Sequence, residues 1–299
     1  MKQTLALALF AAFSLVAAAP VAAQVGVFSK EDLIKYTPEW KGERFPDGRP
    51  KVPDSVLERL KTCTAEEAWS VLRQNRYNNQ FEGNWMELNA DGNRTVGRVV
   101  TAVFMPARPD LHAFIAETGK KEGRATAGGQ NSWVIDTLVP GDVLVVDLFG
   151  KIKDGTFAGD NLATSIWTKS KNGFIVDGAV RDVSGISEIK GQKVFVRGVH
   201  PSAIAEVTLV GINVPIRIGG VTVMPGDVVV SDPEGLTFIP PHLAEKVADS
   251  SENTQLRDAW GHQMLREGKY SPGQIDSRWT PAMQEEFKKW AEQEKARRR

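Results

Sequence analysis

Two copies of one short pattern limit the folds open to this chain. Pro140-Gly141-Asp142-Val143 runs into Leu144-Val145-Val146-Asp147, and Pro225-Gly226-Asp227-Val228 runs into Val229-Val230-Ser231-Asp232. A Pro-Gly pair sets a tight turn, and the apolar run after it leaves no polar face for solvent. Each run is therefore expected as a strand covered on both sides. Two copies do not make a solenoid; they predict two similar turn-and-strand units in one sheet system, with the turns setting register rather than doing chemistry. Further strands are expected at 95–104, 194–196 and 235–239, and a hairpin over 214–223 turning on Gly219-Gly220. With few helices between them, they predict a β-rich α+β core.

The flanks read differently. Residues 24–55 carry Pro38, Pro46, Pro50 and Pro53 and are expected as an irregular arm, with Tyr36 and Trp40 packing it onto the body or a neighbouring subunit. Val56, Leu57 and Leu60 predict a helical turn. Thr64 with Glu67 makes a capping box that opens a helix through Leu72, and 111–118 reads as a short helix. From 242 onward charge rises, and helices are expected at 256–265 and 281–295, separated by Ser271-Pro272-Gly273. Trp260, Trp279 and Trp290 mark this extension as packed. The organisation expected is a leader at 1–23, an arm at 24–55, a catalytic domain at 56–241 and a helical extension at 242–299.

Lys2, the apolar run after it and Val21-Ala22-Ala23 read as a secretory signal cut after Ala23, which predicts a periplasmic or secreted chain. No later run is long and apolar enough to span a membrane. Lys plus Arg and Asp plus Glu number 37 each, so there is no basic footprint for nucleic acid. Cys63 stands alone, which rules out an internal disulfide and fits a buried small side chain.

Chemistry concentrates in residues 159–182, GDNLATSIWTKSKNGFIVDGAVRD. Leu162, Ala163, Ile166 and Trp167 share one helical face. Asp160 is expected as the N-cap, Gly159 as a point of close backbone approach and Gly173 as the helix stop. Phe174-Ile175-Val176 then reads as a short strand, turned by Asp177-Gly178 before an exposed Arg181-Asp182. A helix N-terminus favours a carboxylate or phosphate, and Arg181 can grip the same anion through two parallel hydrogen bonds. Asp182 offers a hard oxygen ligand for Mg²⁺ or Mn²⁺. An ordinary surface pair is the competing reading of Arg181 and Asp182. The chain has no G-x-S-x-G elbow, no H-E-x-x-H, no P-loop and no strand-linked G-x-G-x-x-G. Its histidines, His112, His200, His242 and His262, show no zinc spacing.

Residues from about 60 to 241 resemble the RraA-like family, which includes 4-hydroxy-4-methyl-2-oxoglutarate aldolases. The resemblance rests on PARPDL at 106–111, PGDVLVVD at 140–147, GDNLAT at 159–164, VDGAVRD at 176–182 and IGGVTVMPGDVVVSDPEG at 218–235. It implies a β/β/α sandwich like the swivelling phosphohistidine domain, assembled as a homotrimer or hexamer with sites near subunit interfaces. Family members with aldolase activity carry an Asp, twenty residues and then Arg-Asp, as do Asp160, residues 161–180 and Arg181-Asp182 here. By that resemblance, backbone groups of Gly159, Asp160, Asn161 and Leu162 bind the pyruvoyl end of a small 2-oxo acid. Arg181 binds its carboxylate and keto oxygen, Asp182 holds a divalent cation largely through waters, and Asp160 assists proton transfer. Many relatives continue Arg-Asp-x-x with an acidic residue, where this chain has Gly185. The activity implied is metal-dependent cleavage of a 4-hydroxy-2-oxo acid to pyruvate, with oxaloacetate decarboxylation beside it. Three alternatives stand against it. One is an imine-forming aldolase using Lys169 or Lys171. Another is a non-catalytic binding protein, of the kind that inhibits an RNA-degrading enzyme. The last is a different lyase or hydrolase step on a sugar-acid derivative.

Overall fold

The structure, a computed structural model, describes residues 29–91, 93–124 and 127–298. The leader expected at 1–23 lies outside them. The chain opens with helices α1 (Lys30–Tyr36), α2 (Asp54–Leu60) and α3 (Ala65–Gln74), then short strands β1 (Phe81–Glu82) and β2 (Met86–Leu88). Strand β3 (Val96–Pro106) leads to α4 (Pro109–Lys121) and α5 (Asn131–Ile135). Next come β4 (Asp142–Ala158), α6 (Asp160–Ser170), β5 (Phe174–Val180), α7 (Val183–Ser187) and β6 (Val194–Val199). Strands β7 (Val207–Ile212), β8 (Ile216–Ile218), β9 (Val221–Val223), β10 (Val228–Asp232) and β11 (Gly235–Ile239) follow, and α8 (Ala244–Arg266), α9 (Pro272–Ile275) and α10 (Pro281–Arg298) close the chain.

A mixed sheet runs β1-β11-β10-β3-β4-β5-β6-β2, with β7 pairing on β3 as well. The two repeated motifs flank one strand: β4 pairs with β3 in parallel and β10 pairs with it antiparallel. Each turn closes the same way. The Asp142 carboxylate accepts the Val139 N–H at 3.0 Å, and the Asp227 carboxylate accepts the Met224 N–H at 2.8 Å. Gly141 and Gly226 sit at φ 87° and 88°, where a side chain would strain the turn.

The apolar runs are covered on both faces, as expected. Leu144, Val146 and Leu148 pack towards the layer that holds Ile135, Ala163 and Ile166. Val143 and Val145, of opposite parity, pack with Ile216, Ile218, Val221 and Val223 of the small β8–β9 sheet. The result is a β/β/α layering within an α+β fold. A third apolar cluster joins α2, α3 and α8 to the ends of β3, β10 and β11, through residues such as Leu60, Leu72, Val228 and Val247. Cys63 is fully buried in it, and burial pushes its thiol up to about 12, which leaves it protonated and inert.

The flanks are more ordered than their sequence suggests. Ser29 caps α1 by accepting the Asp32 N–H at 3.1 Å, so the described part of the arm opens with a helix that its prolines do not interrupt. Arg49 then ties the arm to the first repeat. Its guanidinium meets Asp142 at 3.1 Å and Asp47 at 2.8 Å, and both its side chain and that of Asp142 are buried. The capping box at Thr64 and Glu67 forms as expected, with Glu67 N–H donating to Thr64 Oγ1 at 3.0 Å. In the extension, Trp260, Met264, Trp279 and Met283 make a small separate core where α10 returns against α8. Among the described residues no helix is long and apolar enough to cross a membrane.

Candidate active site

Strand register brings the two halves of the 159–182 segment together. β4 and β5 are parallel neighbours, paired from Leu144↔Phe174 to Ala158↔Val180 with irregularities between. Where they end, the Arg181 N–H donates to the Ala158 carbonyl at 3.1 Å. Helix α6 and strand β5 use up the twenty intervening residues, so Gly159-Asp160 and Arg181-Asp182 leave the sheet side by side. The C-terminal ends of parallel strands are where open α/β sheets gather ligand-binding loops.

Gly159 is the N-cap of α6, and Asp160 is its first helical residue rather than the cap. The Asp160 Oδ1 accepts the Asn161 N–H at 2.7 Å, which places a carboxylate against the positive end of the helix dipole. Gly159 has φ −103° and ψ −167°, extended backbone that any residue adopts. Space is what demands glycine. A Cβ there would overlap Asp182 Oδ2 and lie 3.2 Å from Arg181 Nε. The same helix buries Ala163 and Ile166. It stops at Lys171, left-handed at φ 56°, not at Gly173; a Cβ on Gly173 would run into the Lys193 carbonyl.

The turn expected at Asp177-Gly178 does not form. Both residues lie inside β5, which extends to Val180. Asp177 accepts a hydrogen bond from Arg197 Nε at 2.8 Å, so its charge is satisfied within the sheet. A Cβ at Gly178 would sit 2.9 Å from Leu148 Cδ2. The chain turns instead at Asp182, at φ 54° and ψ 41°, which caps α7. Arg181 Nε lies 3.3 Å from Asp182 Oδ2, with the two side chains 42% and 48% exposed. That pair is open to solvent and to a ligand.

Gly185 lies in α7 directly over Asp160. A Cβ there would come 2.7 Å from Asp160 Cβ and 2.8 Å from its Oδ2. Where relatives place an acidic side chain, this chain packs helix backbone against the Asp160 carboxylate. His200 completes the edge. It follows β6, donates its N–H to the Val180 carbonyl at 3.1 Å, and holds Nδ1 2.9 Å from Ser202 Oγ. A histidine one residue beyond a strand is the signal that a search for zinc spacing overlooks.

Asp160, Arg181 and Asp182 thus share one edge with the first turn of α6. None of them, nor Gly159, Asn161 or Leu162, lines the cavities of about 620, 450 and 320 Å³ found elsewhere. Among the described residues, no three His, Cys, Asp or Glu side chains cluster as a protein-built metal site. A half-exposed Asp182 suits a cation that keeps most of its waters, as Mg²⁺ does with one or two carboxylates.

The close approach at Gly159 makes a test. Gly159→Ala is expected to keep the fold, because the carboxylate it displaces is half exposed, yet to move Asp182 from its place beside Arg181 and weaken divalent-cation binding there by about tenfold. Melting temperature and Mn²⁺ binding, measured on one preparation, check both halves.

A family model described as RraA-like, Aldolase/RraA, matches residues 62–238, more than half of the chain. A Halalkalibacterium halodurans protein provisionally named as a 4-hydroxy-4-methyl-2-oxoglutarate aldolase is 36% identical over 135 residues, 44% of this chain and 63% of that protein. The 4-hydroxy-4-methyl-2-oxoglutarate aldolase of Thermus thermophilus is 33% identical over 107 residues, 36% of this chain and 64% of that protein. Both matches span a little under two thirds of the relative. The fold is similar to the crystal structure of Streptomyces coelicolor RraAS2, described as an unusual member of the RNase ES inhibitor RraA protein family. The TM-score is 0.60 at 25% identity, over 71% of this chain and 99% of that one. The matched region runs from just before α3 into β11 and contains the whole Gly159–Asp182 edge; the chain belongs to the RraA-like family.

Proposed function

We propose that this protein is a divalent-metal-dependent lyase that cleaves a 4-hydroxy-2-oxo acid to pyruvate through an enolate, and that it also decarboxylates oxaloacetate. One observation carries the reading. The end-to-end register of β4 and β5 sets the N-terminus of α6, the Arg181 guanidinium and the Asp182 carboxylate around one open edge. The names of the relatives point to the same chemistry.

The substrate carboxylate and keto oxygen meet Arg181 and the first-turn N–H groups of α6, both complementary to negative charge. Asp182 would hold a divalent cation largely through that ion's waters, and such an ion, when bound, would supply Lewis-acid chemistry to the 2-oxo acid. Asp160, acting through water, takes the proton of the 4-hydroxyl. The C3–C4 bond then breaks, C4 leaves as a carbonyl, and its electron pair forms the C2–C3 double bond of the enolate. Arg181 stabilises the charge gathering on the keto oxygen. Return of a proton to C3 gives pyruvate. Loss of carbon dioxide from oxaloacetate produces the same enolate, which is why one edge serves both reactions.

The wider proposal is an exported chain, mature from Gln24, that acts as a homotrimer or hexamer outside the cytoplasm. The experiment is pyruvate release from oxaloacetate and from 4-hydroxy-4-methyl-2-oxoglutarate, with Mg²⁺, with Mn²⁺ and with EDTA. Metal-dependent release from either is expected. Release that survives EDTA would favour imine chemistry at a lysine, and silence with both substrates would leave the binding role suggested by the RNase-inhibitor relatives.

A further inference from the structure

The arm, the segment after α3, the end of β9 with the β9–β10 turn, and the segment after β11 line a cavity of about 320 Å³ that belongs to no part of the edge described above. The aromatic residues Tyr36, Trp40, Tyr77 and His242 line it, as do the acidic Glu39 and Asp227, and among the described residues no Lys or Arg does. Tyr77 and His242 form a corner, with ring centroids 5.8 Å apart and planes at 57°. Of the arm's cations, Arg44 is held by acceptors of the arm itself, donating to Thr37 Oγ1 at 2.8 Å, Gly48 O at 2.9 Å, Thr37 O at 2.9 Å and Trp40 O at 3.2 Å.

Asp227 sits where the second repeat diverges from the first. Asp142 in the first repeat has the buried Arg49 as its cation. Asp227 is 2% exposed, accepts the Met224 N–H, and has no ion pair among the described residues. Aromatic walls, two carboxyl groups and no lining Lys or Arg among the described residues make a setting for an ammonium ion.

We infer that this cavity is a second ligand site, selective for a small organic cation of the alkylammonium class, with Trp40, Tyr77 and Tyr36 as its aromatic walls and Asp227 and Glu39 as its counter-charges. The geometry also predicts a proton linkage. Burial pushes the Asp227 carboxyl up to about 8, so a bound cation must displace its proton near neutrality. Burial lowers His242 and raises Tyr77, so both stay neutral through that range. Glu39 is the remaining charged group facing the cavity.

The test is titration of the whole protein with choline chloride, read by tryptophan fluorescence and calorimetry, beside its uncharged isostere 3,3-dimethylbutan-1-ol. Millimolar choline affinity is expected, at least tenfold tighter than the alcohol, tightening up to about tenfold per pH unit as Asp227 ionises. Asp227→Asn should abolish the pH dependence. The exposed Glu39→Gln, which carries no fold risk, should weaken choline several-fold. Equal binding of choline and the alcohol, no choline binding at any pH, or choline binding indifferent to both variants would each overturn the assignment. None of these readouts depends on lyase activity, so the site stands or falls apart from the proposed reaction.

Discussion

Arg181→Ala is expected to lower kcat/KM for pyruvate release by about 10³-fold, the cost of removing one fixed donor to a developing oxyanion. The reasoning is local. The guanidinium has one ion-pair partner among the described residues, Asp182, and 42% of its side chain is exposed. An exposed pair of this kind contributes little to folding, so stability should change by no more than about 0.5 kcal/mol. Loss of turnover with an unchanged melting curve is therefore the signature of a substrate contact. Arg181→Lys keeps the charge but loses the planar fork, and should recover only a minor part of the rate. Normal turnover in Arg181→Ala would remove this edge from the reaction. Loss of turnover together with a large fall in melting temperature would reduce Arg181 to a structural residue.

The spacing Asp160 to Arg181 is legible in sequence because it equals one helix plus one strand, and parallel strands return the chain to the same edge. The repeated apolar runs are legible because a strand covered on both faces has no polar alternation to disguise it. Local turn chemistry misleads at Asp177-Gly178. The pair has turn-forming character, yet Arg197, twenty residues further on, satisfies the carboxylate inside the sheet, and Leu148 fills the space that glycine leaves. The same kind of tertiary override puts Lys171 in the left-handed helix stop, while Gly173 serves the Lys193 carbonyl. Position errors of one residue matter at the site. Asp160 as a cap would spend its carboxylate closing the helix; as the first helical residue it lies against Gly185 and the Asn161 N–H. The cavity beneath the arm is invisible from sequence, since residues 36–40, 77, 227 and 242 meet only after the chain folds.

Asp142→Asn and Asp227→Asn are one substitution in two copies of one motif, and they are expected to move stability in opposite directions. Asp142 and Arg49 are both buried, and their charges are paired at 3.1 Å. Burial pushes the Asp142 carboxyl up and Arg49 pulls it back. Removing the Asp142 charge strands a buried guanidinium with Asp47 alone, which should cost roughly 3 kcal/mol. Asp227 has no cation among the described residues, and burial holds its carboxyl up to about 8. An unfolded Asp ionises at about pH 3.9, so between there and about 8 the native state carries a proton that the unfolded chain lacks. Stability then falls as pH rises through that window, by up to about 1.4 kcal/mol per unit, and levels off above it. Asn keeps an acceptor for the Met224 N–H and never ionises. Asp227→Asn should therefore match the parent near pH 4.5 and exceed it by on the order of 5 kcal/mol at pH 8.5. Urea midpoints for both variants at the two pH values, with unchanged m, decide the matter. Equal destabilisation by both substitutions at pH 8.5 would mean that Asp227 is ionised in the native state and held by contacts as favourable as those of Asp142. The difference between the two repeats would then lie outside their charge.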